Sequence, residues 1–164
     1  MDKIVIYDTE TSNSHIFGSI IEFGAVVVDK NLNEISKFNI RGRLPEGEVP
    51  SAKALLVNST SIDLLTKGNY SHYEFIAAIE NFFLKISPAC FIGWGNTNFD
   101  RKLIHSNFFR SNRYPYSSHT SPNQETDGLH IARAAQTLDS DTLKTGLTDA
   151  GNVSLALESL ATEQ

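Results

Sequence analysis

Three segments rich in β-branched and aromatic residues follow one another closely at the start of the chain. They comprise residues 3–8, 20–29 and 34–40, and only the short polar run 29–33 separates the second from the third. Runs of this composition, bounded by turn-forming residues, are typical of β-strands. Because short links join neighbouring strands in antiparallel fashion, this spacing predicts an antiparallel three-strand meander.

A long amphipathic helix is predicted to lead from this meander to a fourth strand. Residues 71–86 begin with Ser71 and Glu74 at the spacing of a capping box and carry apolar residues along one face. Pro88 ends the helix, and residues 90–94 form a short apolar run that predicts a buried strand. A strand–helix–strand passage requires a crossover, so the sheet is expected to contain a parallel pair.

The rest of the chain completes a single α/β domain with a mixed sheet. Its length of 164 residues fits one domain, which we place at residues 1–164. Two brief helices are expected in 51–68, a long loop in 111–126, and further helices at 99–109, 127–138 and 153–162.

The composition indicates the cellular compartment in which this domain is expected. The single cysteine, Cys90, excludes a disulfide framework and a cysteine-based zinc site, and it fits a reducing compartment. The N-terminus lacks a basic segment followed by an apolar one, and no apolar run approaches the roughly 20 residues that cross a bilayer. We therefore expect a cytoplasmic protein without a membrane partner.

The charge of the chain is unevenly distributed. The net charge of −5 argues against a protein that coats phosphates generally. Residues 1–124 are balanced, however, and the excess of acids lies in 125–164. No acid occurs between Asp100 and Glu125, and this segment leaves open both a local nucleic-acid contact and a solvated helix face. Its four cations are Arg101, Lys102, Arg110 and Arg113.

Three carboxylates are placed where the predicted strands end. Asp8 and Glu10 follow the first strand, and side chains two residues apart in an extended chain point to the same side. Asp100 follows the strand at 90–94, and loops after parallel strands meet at one edge of a sheet. We therefore expect the three to converge, although each taken alone fits a solvated or helix-capping acid.

Carboxylates held this close repel one another unless a proton or a cation lies between them. Hard divalent cations, above all Mg²⁺, prefer such oxygen ligands. In two-metal sites one ion activates a water while the other stabilises the leaving oxygen. The pattern therefore indicates phosphodiester hydrolysis.

The motifs around these acids resemble the exonuclease domain of bacterial exonuclease I, within the DEDD (proofreading-exonuclease-like) superfamily. YDTET at 7–11 resembles the first motif of that family, and His15 stands where its pattern has a His. NTNFD at 96–100 resembles the second motif, Asn-x-x-Phe-Asp. FFRSNRYPY at 108–116 and the stretches around Asp127 and Leu157 resemble further segments, so the similarity covers nearly the whole chain.

This resemblance implies a ribonuclease H-like fold and a metal-dependent 3′–5′ exonuclease that releases mononucleotides from single-stranded DNA. It implies two Mg²⁺ ions, with Mn²⁺ as a substitute, bound by the catalytic residues Asp8, Glu10 and Asp100. Single-stranded nucleic acid is the implied partner, DNA ahead of RNA. The implied contact residues are Thr9, Thr11, His15, Asn96, Phe99, Arg101, Arg110 and Arg113.

The chain departs from the family pattern at the third motif, which supplies a fourth carboxylate and a general base. That motif is a His with an Asp five residues later, or a Tyr with an Asp four residues later. No His or Tyr of this chain satisfies either spacing. We therefore expect a domain that ends before its last catalytic helix, with a following chain or a protein partner as a source of the motif. A non-catalytic nucleic-acid-binding relic and an exoribonuclease remain alternatives.

The remaining aromatic and imidazole side chains are assigned less specific roles. Tyr114 and Tyr116 lie in the polar loop, and both base stacking and packing are open to them. His105, His119 and His130 are interpreted as capping or surface residues rather than metal ligands.

Overall fold

The computed structural model describes residues 2–95, 98–139, 141, 143–150, 153–157 and 160–161. A single sheet forms its centre, with strands β1 (Lys3–Thr11), β2 (Ile20–Asp29), β3 (Glu34–Arg41), β4 (Cys90–Gly93) and β5 (Gln124–Asp127). Across the sheet the strands lie in the order β3-β2-β1-β4-β5.

The pairing of the strands confirms the predicted mixed sheet. β2 pairs antiparallel with both β1 and β3, which forms the predicted meander. β4 pairs parallel with β1, with Val5 opposite Phe91, and β5 extends the parallel part by pairing with β4. The crossover between β3 and β4 therefore occurs as expected from the intervening helix.

Helices of the described residues flank this sheet: α1 (Ala52–Val57), α2 (Ile62–Thr66), α3 (His72–Ile86), α4 (Asp100–Arg110) and α5 (Gly128–Leu138). The predicted capping box of α3 is present, since Ser71 accepts a hydrogen bond from the backbone of Glu74 and the Glu74 side chain accepts one from the backbone of Ser71. Within the described ranges, no helix has the length and apolar character that a bilayer crossing requires.

The hydrophobic core lies between α3, α4 and one face of the sheet. Phe83 of α3 is central to it, with ring centroids 5.7 Å from Phe23, 4.8 Å from Phe91 and 5.7 Å from Phe108. All four rings are almost completely buried. Burial of large aromatic side chains supplies much of the stabilisation of a domain this size, so this cluster fixes α3 and α4 against the strands.

Alternation along β1 assigns its residues to opposite faces. Val5, Tyr7 and Thr9 point into the core and are buried, while Ile6 is 48% exposed and Asp8 is also exposed. Because successive side chains of a strand point to opposite faces, the core-facing residues fix the strand and the intervening residues remain accessible for chemistry.

Three features differ from the sequence-based predictions. β1 continues beyond Asp8 to Thr11, because its polar end pairs with β2 as far as Ile20. The loop predicted at 111–126 ends in β5, a polar strand whose pairing with β4 depends on the backbone rather than on an apolar pattern. In the helix predicted at 153–162, residues 153–156 are not helical; residues 157, 160 and 161 are.

Candidate active site

The exposed side of β1 carries the first two predicted ligands. Asp8 and Glu10 alternate with the buried Thr9 and Thr11, so the two carboxylates share one face of the strand. Glu10 lies opposite Glu22 of β2 in the antiparallel pairing. The extended conformation that aligns Asp8 with Glu10 therefore results from the pairing of β1 with β2.

Asp100 is brought to this strand by the start of α4. It is the first residue of the helix and is only 9% exposed. The Thr9 hydroxyl donates a hydrogen bond of 2.5 Å to Asp100 Oδ1, across 91 residues of sequence. This contact joins the first and second sequence motifs through side chains.

The three carboxylates line a common cleft of about 320 Å³, as the spacing of the motifs predicts. Thr9, Thr11 and Phe99, which were predicted as contact residues, line the same cleft. Phe99 also packs against the core, so it forms one wall of the cleft while helping to fix the start of α4.

The pKa of each of the three carboxyl groups in the cleft is raised above its ordinary value. Burial is the main cause for each, because an ionised carboxylate loses solvation. The charge of Asp8 further raises the pKa of Glu10 and of Asp100, while the hydrogen bond from Thr9 acts in the opposite direction on Asp100. The site therefore concentrates negative charge that a cation would stabilise.

The donor set of the cleft fits a hard divalent cation. Residues that carry carboxylate and hydroxyl oxygens line it, and Mg²⁺ prefers oxygen ligands. Within the described part of the chain, however, the three carboxylates do not form a group with ligand atoms all within 4.8 Å of one another. Asp8, Glu10 and Asp100 thus surround the cleft without closing into a compact ligand cage.

A buried polar network fixes the loop at 12–18, which follows β1. Ser12 and Ser19 both donate hydrogen bonds to the Glu48 carboxylate, and the Ser12 backbone NH bonds to the Ser19 carbonyl. Arg110 of α4 donates to the Gly18 carbonyl at 2.9 Å. These contacts close the loop at its base and hold it at the edge of the cleft.

The other predicted contact residues differ in their surroundings. His15 is exposed in the 12–18 loop and does not line the cleft. Arg110 bonds to Gly18, while Arg113 pairs with Glu80 and lies 4.9 Å from the centre of the Tyr73 ring. These contacts give both arginines a structural role, so their nucleic-acid role stays a prediction.

Arg101 is half-buried and Lys102 is exposed in the first turn of α4, and Asn96 lies outside the described residues.

Several cleft residues were not among the predicted site residues. α1 and the residue that follows it bring Lys53 and Asn58 to the cleft. The Asn58 side chain donates to the Thr11 carbonyl at 2.9 Å, which ties this segment to the end of β1. Their signal in the sequence is weak, because α1 is short and has no buried residue that would fix its position.

Comparison with known proteins identifies similar chains at the levels of sequence and fold. No family model matches the chain. Exodeoxyribonuclease I of Buchnera aphidicola subsp. Schizaphis graminum is 27% identical over 139 residues, which is 83% of this chain and 29% of that protein. Exodeoxyribonuclease I of Buchnera aphidicola subsp. Acyrthosiphon pisum is 26% identical over 139 residues, or 83% of this chain and 33% of that protein. The chain resembles exonuclease I.

Solved structures extend this resemblance over the whole chain. The crystal structure of E. coli exonuclease I in complex with a dT13 oligonucleotide has a TM-score of 0.91 at 22% identity, covering 100% of this chain and 36% of that one. A complex of exonuclease I with the inhibitor BCBP has a TM-score of 0.92 at 23% identity, with 100% and 36% covered. The predicted resemblance and the ribonuclease H-like fold are therefore confirmed.

The similarity concerns a part of those proteins. The chain spans about a third of the length of the curated exonuclease I relatives that it matches. For this chain, the activity, substrates and partners of the full-length relatives are therefore proposals.

Proposed function

We propose that this chain is a nuclease domain that hydrolyses single-stranded DNA from the 3′ end with the help of divalent cations. The observation that carries this proposal is the cleft that Asp8, Glu10 and Asp100 line together. Sequence similarity to two proteins named exodeoxyribonuclease I supports the same reaction class. The crystal structure of E. coli exonuclease I with dT13 supports single-stranded DNA as the substrate.

Asp8, Glu10 and Asp100 are the residues that would hold the cations. When bound, two Mg²⁺ ions supply an activated water and stabilise the charge on the leaving oxygen. Thr9 orients Asp100 through its hydrogen bond, so the carboxylate presents a fixed oxygen to the cleft. Phe99 gives the cleft an apolar wall against which a terminal base can stack.

Lys53 supplies positive charge where the strand would enter. It is exposed, lines the same cleft as the three carboxylates and makes no ion pair with any residue that the structure describes. A single flexible ammonium of this kind binds a phosphate as a point charge. We assign to Lys53 the first phosphate contact of a bound strand.

The general base is the part of the reaction that the cleft does not supply from its described lining. Neither a His nor a Tyr lines it there, and the chain has no third motif by sequence. This observation favours a second candidate function, in which the chain binds single strands without cleaving them until a partner or a following segment supplies the base.

The experiment that tests the proposal measures cleavage and binding in parallel. A 3′-labelled and a 5′-labelled single-stranded DNA are incubated with the chain and Mg²⁺, and products are resolved to single nucleotides. We expect early release of the 3′ label as mononucleotide, and loss of that release in Asp8→Asn and Asp100→Asn. Release that is equal in the wild type and both variants would overturn the metal-site assignment.

The same assay separates the alternatives. Binding of DNA in Ca²⁺ without cleavage in Mg²⁺ or Mn²⁺ would support the binding module. A matched RNA oligonucleotide, added as a competitor, tests the sugar preference, because a protein that selects RNA recognises the 2′-hydroxyl. We expect the RNA to compete less well than DNA of the same sequence.

A further inference from the structure

A second group of metal-ligating side chains lies outside the carboxylate cleft. His105 of α4, His119 of the segment between α4 and β5, and Glu125 of β5 each offer a ligand atom, and these atoms all lie within 4.8 Å of one another. The three residues come from separate parts of the chain, so their convergence depends on the tertiary fold. None of them lines the cleft of Asp8, Glu10 and Asp100.

Glu125 forms the buried end of this group. Its side chain is only 2% exposed. The Tyr7 hydroxyl donates to Glu125 Oε1 at 2.6 Å, and the Ser118 hydroxyl donates to Oε2 at 3.2 Å. A buried carboxylate requires compensation for its lost hydration, and these two hydroxyl donors orient the Glu125 carboxylate within the group.

His105 contributes an imidazole to this group and has a buried ring nitrogen. Its Nε2 atom is buried and makes no hydrogen bond with any residue in the described part of the chain. Buried imidazole nitrogens normally have a partner. The pKa of His105 is lowered to about 4, mainly because burial disfavours the charged ring. At neutral pH the ring is therefore uncharged and has a lone pair for a ligand bond.

His119 completes the group from the solvent side. Its Nδ1 atom lies 3.4 Å from Glu125 Oε2, and its side chain is 34% exposed. The rings of His105 and His119 have centroids 5.0 Å apart, and the Tyr116 ring packs against both at 5.1 and 5.4 Å. Tyr116 therefore restrains the orientation of the two imidazoles from one side.

We propose that His105, His119 and Glu125 form a binding site for Zn²⁺, distinct from the carboxylate cleft. Two imidazoles and one carboxylate are a ligand set that zinc accepts in tetrahedral geometry, with water in the fourth position. Mg²⁺ and Ca²⁺ prefer sites built entirely of oxygen ligands, so this site and the cleft differ in the metal that each favours. The assignment replaces the sequence-based interpretation of His105 and His119 as capping or surface residues.

The bound metal would add a direct link between α4, the segment that follows it and β5. Residues 111–123 connect α4 to β5 and contain few buried side chains. A metal held by His105, His119 and Glu125 would fix this segment to both α4 and β5. A metal that binds only the folded chain raises the free energy of unfolding, and this gain grows with the logarithm of the free metal concentration.

The test uses the full chain carrying Asp8→Asn and Asp100→Asn, so that zinc binding in the carboxylate cleft does not contribute. Zn²⁺ binding is measured by isothermal titration calorimetry after treatment with a chelator, and Tm is measured with and without Zn²⁺. We expect one Zn²⁺ per chain and a rise in Tm of roughly 5–10 °C at free Zn²⁺ about 100 times the Kd.

Single substitutions then assign the ligands. Zn²⁺ binding should weaken by roughly 100-fold or more in each of His105→Gln, His119→Gln and Glu125→Gln. Loss of a residue that only supports a metal ligand already lowers metal affinity by about 10–100-fold. His130→Gln is the matched control, because His130 is exposed on α5 and outside the group. It should bind Zn²⁺ as the parent does.

His119→Gln keeps the proposal testable if the buried substitutions unfold the chain, because His119 is partly exposed. Circular dichroism checks the fold of each variant. Unchanged Zn²⁺ affinity in folded His119→Gln, or no Zn²⁺ binding by the parent, would overturn the proposal. Co²⁺ substitution provides a second readout, since a tetrahedral site gives visible absorption bands that His119→Gln should remove.

Discussion

At the scale of single residues, Asp100 shows how the site opposes stability. Its carboxyl group is buried beside Asp8, and both effects raise its pKa. A carboxyl group with a raised pKa in the folded state contributes stability below its unfolded pKa, and this contribution is lost as the pH rises through the folded value. At neutral pH the ionised Asp100 therefore destabilises the metal-free chain.

We predict that Asp100→Asn raises the Tm of the metal-free chain at pH 7, and that the difference from wild type narrows as the pH falls towards 4. The amide removes the buried charge, and its oxygen still accepts the hydrogen bond from Thr9. Each kcal/mol recovered corresponds to about 2–4 °C in a chain of this size. Thermal unfolding in chelator from pH 4 to pH 8 measures the effect.

Asp141→Asn is the control for this prediction. Asp141 is exposed, so its replacement should change Tm by little and equally across this pH range. A destabilised Asp100→Asn at pH 7, with its fold intact at pH 4, would show that ionised Asp100 stabilises the metal-free chain and would contradict the prediction.

At the scale of secondary-structure elements, the sequence predicts those parts whose signals are local. α3 begins at a capping box and has a regular apolar face, and both are visible in the residues themselves. β5 was missed because QETD has no apolar alternation and is positioned by long-range pairing with β4. The polar end of β1 was missed for the same reason, since β2 supplies its hydrogen-bonding partner.

The candidate site shows the same difference between residues with local sequence signals and residues placed by long-range packing. The sequence placed Asp8 and Asp100 in short motifs at the ends of predicted strands and so predicted that they share an edge of the sheet. The structure brings both to one cleft, with Asp8 inside β1 and Asp100 at the start of α4. Lys53 reaches that cleft from a helix of six residues, and Asn58 from the position directly after it. Their position depends on where the intervening chain packs, which no local pattern specifies.

We predict that Ser71→Ala lowers the free energy of unfolding by about 1 kcal/mol, the usual cost of losing an N-cap side chain. The Ser71 hydroxyl accepts from the backbone of Glu74, and the reciprocal bond completes a capping box at the start of α3. α3 contributes Phe75, Ile76, Ile79 and Phe83 to the core, so fraying at its first turn loosens packing as well. Urea denaturation measures the change.

Ser51→Ala is a matched control, since Ser51 precedes α1 at the corresponding position but makes no capping hydrogen bond through its side chain. Its effect should stay within about 0.5 kcal/mol, as for most surface substitutions. Equal destabilisation by the two substitutions would mean that the capping bonds of α3 contribute nothing beyond loss of a hydroxyl.

At the scale of the whole molecule, a net charge of −5 has to be reconciled with a polyanionic ligand. The charge of the cleft is locally negative as well, because three carboxylates line it and Lys53 is the cation among its described lining residues. Divalent cations would reverse that balance at the cleft alone. DNA binding should therefore depend on local charge near Lys53 and on the cations, rather than on the total charge.

Two lysines allow this reasoning to be tested with two variants that have the same net charge as each other. Lys53→Ala and Lys85→Ala each remove one positive charge from an exposed lysine, but Lys85 lies in the last turn of α3 and does not line the cleft. With Ca²⁺ present to permit binding, we predict that Lys53→Ala weakens the binding of single-stranded DNA and makes the salt dependence shallower. The slope of log K against log salt should change by about 0.7, the value for one phosphate contact on a single strand.

Lys85→Ala should leave both the affinity and the slope unchanged, because exposed charges more than about 10 Å apart are largely screened at 0.1 M salt. Fluorescence anisotropy with a labelled oligonucleotide at several salt concentrations distinguishes the two variants. If both weaken binding equally, the total charge of the chain controls association and Lys53 has no special place in the cleft. If only Lys53→Ala has an effect, the strand enters past α1, beside the carboxylates, and the acidic remainder of the molecule does not oppose it.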